Sequence, residues 1–335
     1  MRAGAINLRI LIDFRQILRC RDGRRLAVSK PGGEHRSVRI LHFSDIHLGL
    51  GLRHIPLSDW AGKRLAGGAN LLRGRGRRFS GAAEKTRAMV RLAGELHADL
   101  VLCTGDLTAL ATEAEFQTAR DIFEPLLDTG RFVVVPGNHD LYTRRDVEQG
   151  RFARKFERGL ESDLPELCTD GPWPILRLPA DNVAVVAVNS ARPNTAPWKS
   201  SGRVPDAQID GLRAALADPR VAGRFVFLMT HYAPCRADGS RDTREHGLDN
   251  VDDLLDAAAG IERGAFLCGH IHTTFRQRIP GFAGEVFCAG SSTLAGREGF
   301  WLFESGAAGW EASRGHWSGD AYVVDAPIPL GAENG

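Results

Sequence analysis

The sequence predicts an α/β fold of layered sheet and helix, on three observations. Apolar runs of strand length recur at 100–103, 132–135, 183–188, 225–229 and 265–268. Helical patterns with recognisable starts lie between them. From Thr273 onward the chain changes to short strand patterns rich in glycine and aromatics, among them Phe282, Phe287, Phe300, Trp301, Phe303 and Trp310. Strand and helix patterns that alternate along most of a chain imply a sheet covered by helices.

Each element has its own local reason. Positions 38–45 read as a strand running into a polar turn. Ser80 precedes a run that sets Met89, Leu92 and Leu96 on one helical face. Thr112 and Glu115 form a capping box ahead of Phe116, Ala119, Phe123 and Leu126 at helical spacing. Asp206, after Pro205, is placed to cap a helix carrying Ile209, Leu212 and Leu216. The sequence has no internal repeat and no low-complexity segment.

The chain of 335 residues is long enough for one large domain with extensions. The expected division is a basic N-terminal arm at 1–37, disordered or amphipathic, closed by Pro31-Gly32-Gly33. A domain at 38–325 follows, with a basic and apolar insertion at 55–80, and then a tail at 326–335. A hydrophobic content of 43% and a charged content of 25% exclude the disordered and fibrous classes. No apolar run reaches the ~18 residues that span a bilayer. Arg9, Asp13, Arg15 and Arg19 interrupt the N-terminal apolar stretch, which argues against a signal peptide and for a cytoplasmic protein. The six cysteines form no C-x-x-C pair, and Cys103, Cys268 and Cys288 sit in strand-like runs. They read as small core residues in a reducing compartment.

Chemistry gathers where strands end. The opening strand is followed by Asp45-Ile46-His47, and four later runs by Gly105-Asp106, Gly137-Asn138-His139-Asp140, His231, and Gly269-His270-Ile271-His272. A ligand directly after a strand lies at the carboxyl edge of the sheet, where open α/β sheets bind their ligands. Carboxylates mixed with imidazoles suit Mn, Fe or Zn better than Ca²⁺, which prefers oxygen-only shells. Asp106 is a carboxylate able to bridge two ions about 3.5–4 Å apart, the usual spacing in two-metal hydrolases. Gly105, Gly137 and Gly269 each precede a proposed ligand, where a tight turn or a close backbone approach is needed. A single D-x-H or H-x-H pair is commonly a surface or core feature. All five motifs in one order are not.

On these motifs the chain resembles the calcineurin-like metallophosphoesterase superfamily, over roughly residues 38–305. The resemblance implies a four-layer α/β/β/α sandwich of two mixed sheets. It implies one divalent metal ion on Asp45, His47, Asp106 and His272, and a second on Asp106, Asn138, His231 and His270. His139 would be the catalytic imidazole beside the leaving group. The implied reaction is attack on phosphorus by water that the ions acidify. Asp140 either orients the His139 ring or caps the following turn. Leu107-Thr108-Ala109 departs from the pattern of protein serine/threonine phosphatases, and Ala109 from the tyrosine of purple acid phosphatases. His139 departs from the arginine of the commonest bacterial UDP-diacylglucosamine hydrolase. What remains is similar to a phosphodiesterase-type bacterial branch.

The insertion bears on the substrate. From Trp60 to Phe79 it carries Lys63, Arg64, Arg73, Arg75, Arg77 and Arg78 with no acid, interleaved with Leu65, Leu71 and Leu72. That mixture suits peripheral contact with an anionic membrane. A solvated basic loop is the plainer alternative. Nucleic acid is disfavoured, because aromatics are sparse and the formal charge is only +2. With its Lys63-Arg64-Leu65 and Asn70 core the insertion resembles a lipid A biosynthesis group that hydrolyses the pyrophosphate of UDP-2,3-diacylglucosamine. The alternatives are a cyclic-AMP-type phosphodiesterase and, in another class, a catalytically silent scaffold. A scaffold would be expected to have lost ligands, and none is missing. His42 reads as a buried structural residue. His35, His54, His97, His246 and His316 read as ordinary surface or loop residues, and Asn189 and Arg192 are left out of the catalytic set.

Overall fold

The computed structural model describes residues 37–331 apart from 57, 58, 61, 62 and 197, and for Arg75 the backbone only. All of the expected N-terminal arm but Ser37 lies outside the described residues, as do positions 332–335.

Two mixed sheets form the centre. The first has strand order β12-β11-β10-β1-β2-β3, with β13 added on β11. Its strands are β1 (Arg39–Phe43), β2 (Leu100–Cys103), β3 (Phe132–Val134), β10 (Phe300–Gly306), β11 (Gly309–Trp317), β12 (Tyr322–Val324) and β13 (Ile328–Pro329). The second runs β4-β5-β6-β7-β9-β8. It comprises β4 (Ile175–Ala180), β5 (Val183–Ala187), β6 (Phe225–Met229), β7 (Gly264–Cys268), β8 (Phe275–Gln277) and β9 (Glu285–Cys288). β1, β2 and β3 are parallel, as are β5, β6, β7 and β9. Near-continuous apolar strands such as VAVVA and FVFLM follow, because both of their faces are buried.

The inner faces of the sheets meet through aromatic rings. Phe303 stands edge-on to Phe227 at 5.1 Å and to Phe287 at 5.0 Å, and Trp301 stands edge-on to Phe287 at 5.0 Å. The helices Ala82–Glu95 and Glu113–Asp128 belong to the core of the first sheet, through Met89, Phe116 and Phe123. Asp206–Ala217 and Val251–Ala258 cover the second sheet, through Ile209, Leu212, Leu254 and Leu255. The result is the four-layer α/β/β/α sandwich.

Local expectations fare unevenly at helix starts. The capping box is formed, with Glu115 N donating to Thr112 Oγ1 at 3.2 Å and Thr112 N to Glu115 Oε2 at 3.1 Å. Gly81 in the left-handed region, not Ser80, starts the helix Ala82–Glu95. Asp206 lies inside the first turn of its helix, where a carboxylate still favours the exposed amides, while Pro205 takes the cap position. Strand pairing continues past Asp325 into the segment assigned above to a tail. β13 pairs with β11, and Gly331 N donates to Glu285 Oε2 at 3.1 Å. The five described cysteines are free thiols, with Cys103, Cys235, Cys268 and Cys288 buried. Among the described residues no helix is long and apolar enough to cross a membrane.

Candidate metal centre

Hydrogen bonding continues past the strand ends, and that continuation builds the site. After β1, Asp45 N donates to Gly105 O and His47 N to Asp106 O, each at 2.9 Å, so the two ligand loops run side by side. After β6 and β7 the pattern repeats, with Gly269 N donating to His231 O at 2.9 Å. Two cross-sheet bonds then join these edges. His231 Nδ1 meets Thr104 O at 2.6 Å, and His270 N donates to Asp45 Oδ2 at 2.9 Å.

All seven expected ligands converge. The donor atoms of Asp45, His47, Asp106 and His272 lie within 4.8 Å of one another. His272 Nε2 is 3.0 Å from Asp45 Oδ1, and His47 Nε2 is 3.5 Å from Asp106 Oδ2. On the other side, Asn138 Oδ1 is 3.2 Å from His231 Nε2 and 3.0 Å from His270 Nδ1. His231 Nε2 is 3.7 Å from Asp106 Oδ1. The two oxygens of Asp106 thus face different donor sets, which is the geometry of a bridging carboxylate.

Neighbouring carbonyls set which imidazole nitrogen is the donor atom. A ring nitrogen against a carbonyl oxygen must carry the proton, leaving the other nitrogen to coordinate. His231 gives Nδ1–H to Thr104 O, so Nε2 faces the site. His270 gives Nε2–H to His246 O at 2.8 Å, so Nδ1 does. His139 gives Nδ1–H to Ala109 O at 2.7 Å, which leaves Nε2 as its basic atom.

The residues fit two cations. Asp45 and Asp106 are buried, and among the described residues their ion-pair partners are imidazoles alone. Burial pushes the Asp106 carboxyl well above the usual carboxylate range, and the charges of Asp45 and Asp140 add to the shift. Burial also opposes ionisation of Asp45, but the adjacent His272 and His47 outweigh it and hold Asp45 well below the usual range. A divalent ion supplies the positive charge such a set lacks. The backbone agrees. Asp45, His47, Asp106, His270 and His272 all take left-handed conformations, with φ of 43° to 68°. Strain at non-glycine residues concentrates where function requires it. Gly105 has φ +96°, and a side chain on Gly137 would strike the Asp106 carboxylate.

The family model for calcineurin-like phosphoesterases matches residues 38–274. The chain belongs to the calcineurin-like phosphoesterase family. As a member it is a metal-dependent hydrolase of phosphoric esters with a centre of two divalent ions. Among solved structures it is similar to a dimetal phosphatase from Danio rerio, with a TM-score of 0.55 at 16% identity, covering 83% of this chain and 95% of that one. It is also similar to a purple acid phosphatase from yellow lupin seeds, with a TM-score of 0.51 at 10% identity, covering 87% of this chain and 53% of that one. Identities this low carry the fold and nothing finer. No curated protein matches the sequence.

Other members of the site settle as follows. Asp140 accepts the amides of Leu107, Thr108 and Gly137 at 3.1, 3.0 and 3.0 Å, together with the Thr108 hydroxyl. It fastens the two ligand loops together and leaves the His139 ring to Ala109. The fused insertion is mostly helical, over Lys63–Asn70, Leu71–Arg75 and Gly76–Arg78. Arg64 is a correction. It is 2% exposed and pairs with Asp146 at 2.5 Å and Asp59 at 3.6 Å, so it is a core residue and no part of a membrane-facing set. Its Nε and Nη2 also donate to the carbonyls of Leu110 and Ala111, which no sequence pattern announces. Arg73, Arg77 and Arg78 are exposed, and the Arg75 side chain lies outside the described residues. His42 is buried, as expected. Arg192 pairs with Asp249 and so joins the loop after β5 to the loop after β6, while the Asn189 side chain accepts from Ala191 N at 2.9 Å within its own loop.

Beside the centre opens a cavity of about 640 Å³, lined by Lys63, Asp106, His139, Tyr142, Trp198 and His246 among others. Sequence reading missed Tyr142 and Trp198 and took His246 for an ordinary loop residue. His246 in fact orients His270 through its carbonyl. The available signal was position, since Trp198 and His246 fall in the loops that follow β5 and β6.

Proposed function

We propose that the chain hydrolyses a phosphodiester or pyrophosphate bond in an amphiphilic substrate at a membrane surface, of the UDP-2,3-diacylglucosamine type. Asp45, His47, Asp106 and His272 hold one ion, and Asp106, Asn138, His231 and His270 the other. The observation that carries the substrate reading is an apolar crevice of about 280 Å³ directly beside His47, lined by Leu52, Leu71, Leu72, Phe79 and Ala109. A polar cavity and an apolar crevice on two sides of one centre suit a substrate with a charged half and a greasy half. Leu65 and Leu72, 55% and 76% exposed, stand among the exposed arginines of the same insertion, which supports contact with an anionic lipid surface.

When bound, the two ions supply an acidified water and offset charge on the phosphoryl oxygens. The protein does the rest. Asp106 fixes the spacing of the two donor sets. His139, with Nδ1–H held by Ala109 O, takes up a second proton on Nε2 before turnover and, as the imidazolium, gives that proton to the departing oxygen.

The test is hydrolysis by Mn²⁺-loaded protein of bis-p-nitrophenyl phosphate, cyclic AMP and UDP-2,3-diacylglucosamine, the last with and without detergent. Preference for the diacylated substrate is expected. Turnover of cyclic AMP alone would move the chain to the cyclic-nucleotide reading. Neutralising Arg73, Arg75, Arg77 and Arg78 should weaken co-sedimentation with anionic vesicles, and unchanged binding would remove the membrane half of the proposal.

A further inference from the structure

Lys63 differs from the other cations of the insertion. It is only 9% exposed and its side chain lines the cavity shared with Asp106, Asn138 and His139. Its Nζ donates to Lys199 O at 3.3 Å and lies 4.8 Å from the centre of the Tyr142 ring. Among the described residues it has no carboxylate partner. Elsewhere the same region pairs its buried cations, as with Arg64 on Asp146 and Arg151 on Asp59. A buried ammonium without a counterion is costly, and a ligand that brings an anion removes that cost.

Position says which anion. Tyr142, under the Lys63 ammonium, stacks on the His139 ring at 5.2 Å. Lys63 therefore lies on the His139 side of the centre, where the leaving group departs, beyond the reacting phosphorus. An alcohol leaving group offers a lysine there nothing anionic in the ground state, whereas a second phosphate offers a full charge.

We propose that Lys63 binds the phosphate attached to the leaving oxygen, which makes the substrate a pyrophosphate diester and Lys63 a specificity-determining residue. This rests on the phosphoesterase reading above and narrows it. In the reaction, water oxygen bonds to one phosphorus as that phosphorus loses its bond to the bridging oxygen. The electron pair of the broken bond goes to the bridging oxygen, which leaves on the second phosphate beside Lys63. Two phosphomonoesters result, and the protons of the water pass to the products and solvent. The environment of Lys63 supports the assignment. Burial draws its pKa down to about 8, against a smaller upward pull from the charge of Asp106.

The experiment compares Mn²⁺-loaded wild type, Lys63→Met and Lys63→Arg on a nucleoside diphosphate sugar and on bis-p-nitrophenyl phosphate. Metal content and inorganic phosphate affinity are measured alongside. For Lys63→Met, kcat/KM on the pyrophosphate should fall about 100-fold, the scale of one lost donor to a developing charge. On the p-nitrophenyl diester it should fall no more than about threefold, since that substrate has no second phosphate for the lysine to hold. Lys63→Arg should recover most of the pyrophosphate activity, which a packing role would not predict. Phosphate should bind about tenfold more weakly to Lys63→Met at unchanged metal content. Equal losses on both substrates, unchanged phosphate affinity, or a wild type that cleaves the diester and not the pyrophosphate would each overturn the assignment. A wild type inactive on both would sink the phosphoesterase reading instead, and phosphate binding would still decide the role of Lys63.

Discussion

The backbone amide of His139 donates to Oδ1 of Asp106 at 2.7 Å, while the His139 ring hangs from the carbonyl of Ala109. The His139 backbone therefore ties the carboxylate between the two donor sets to the residue proposed above as the acid for the leaving group. On the proposed roles, metal binding and proton delivery share a scaffold but use different atoms, so mutation should separate them.

Asp106→Asn keeps an oxygen for the His139 amide but loses the charge and the second donor oxygen. Both ion sites should weaken together. Metal analysis after dialysis is expected to fall from two ions per chain to fewer than one, with kcat reduced by about a thousandfold or more. Retention of two ions would mean that the two oxygens of Asp106 do not serve two sites.

His139→Ala removes the ring and leaves the amide in place. The expected result is a kcat loss of about 10²–10⁴-fold, the usual worth of a general acid, with metal content nearly intact. The loss should be smallest on a substrate whose leaving group needs no proton, such as p-nitrophenolate. Loss of metal in this variant would reassign His139 as a ligand.

Much of this was legible in the sequence because strand-end motifs are short and local. Each of Asp45, Asp106, Asn138, His231 and His270 follows a strand by a few residues, and a sheet edge brings such positions together whatever their separation along the chain. The four-layer order came from the family resemblance and not from periodicity, since apolar strands buried on both faces carry no alternation to read. Arg64 marks the limit of charge patterning. A run of six basic residues without an acid looks like a surface, but its partners Asp59 and Asp146 come from outside the run. The role of Asp140 was equally hidden, because it consists of backbone amides contributed by two loops.

Acid should destabilise the fold through His42. This residue is fully buried, its Nε2 sits 3.0 Å from Thr104 Oγ1, and its Nδ1 has no partner among the described residues. In the metal-free protein, burial draws its pKa from 6.5 down to about 3, against a smaller upward pull from Asp45. The folded value lies below the unfolded one, so between these limits the unfolded chain binds the extra proton. The stabilisation is whole above pH 6.5 and is lost as pH falls toward 3, by about 1.4 kcal/mol per pH unit. Denaturant unfolding at several pH values checks this, with His42→Gln as the comparison. The difference in stability between the two proteins should change across that window and stay flat above it. Parallel profiles would contradict the assignment.

Arg64→Met separates a core role from a membrane role in the same insertion. The guanidinium bridges Asp146 and Asp59 and donates to the carbonyls of Leu110 and Ala111. The carbonyls belong to the loop that follows Ala109, whose own carbonyl holds the His139 ring. Truncation leaves Asp146 with Arg151 at 3.2 Å, so the carboxylate is not wholly abandoned. The loss of stability should therefore fall near the lower end of the 3–5 kcal/mol typical of a broken buried pair, about 3 kcal/mol. Binding to anionic vesicles should be unchanged, because the removed charge never faces solvent. Kinetics supply the third readout. A loosened 109–111 loop should lower kcat through His139 while KM for bis-p-nitrophenyl phosphate holds. A variant as stable as wild type that no longer binds vesicles would return Arg64 to the surface.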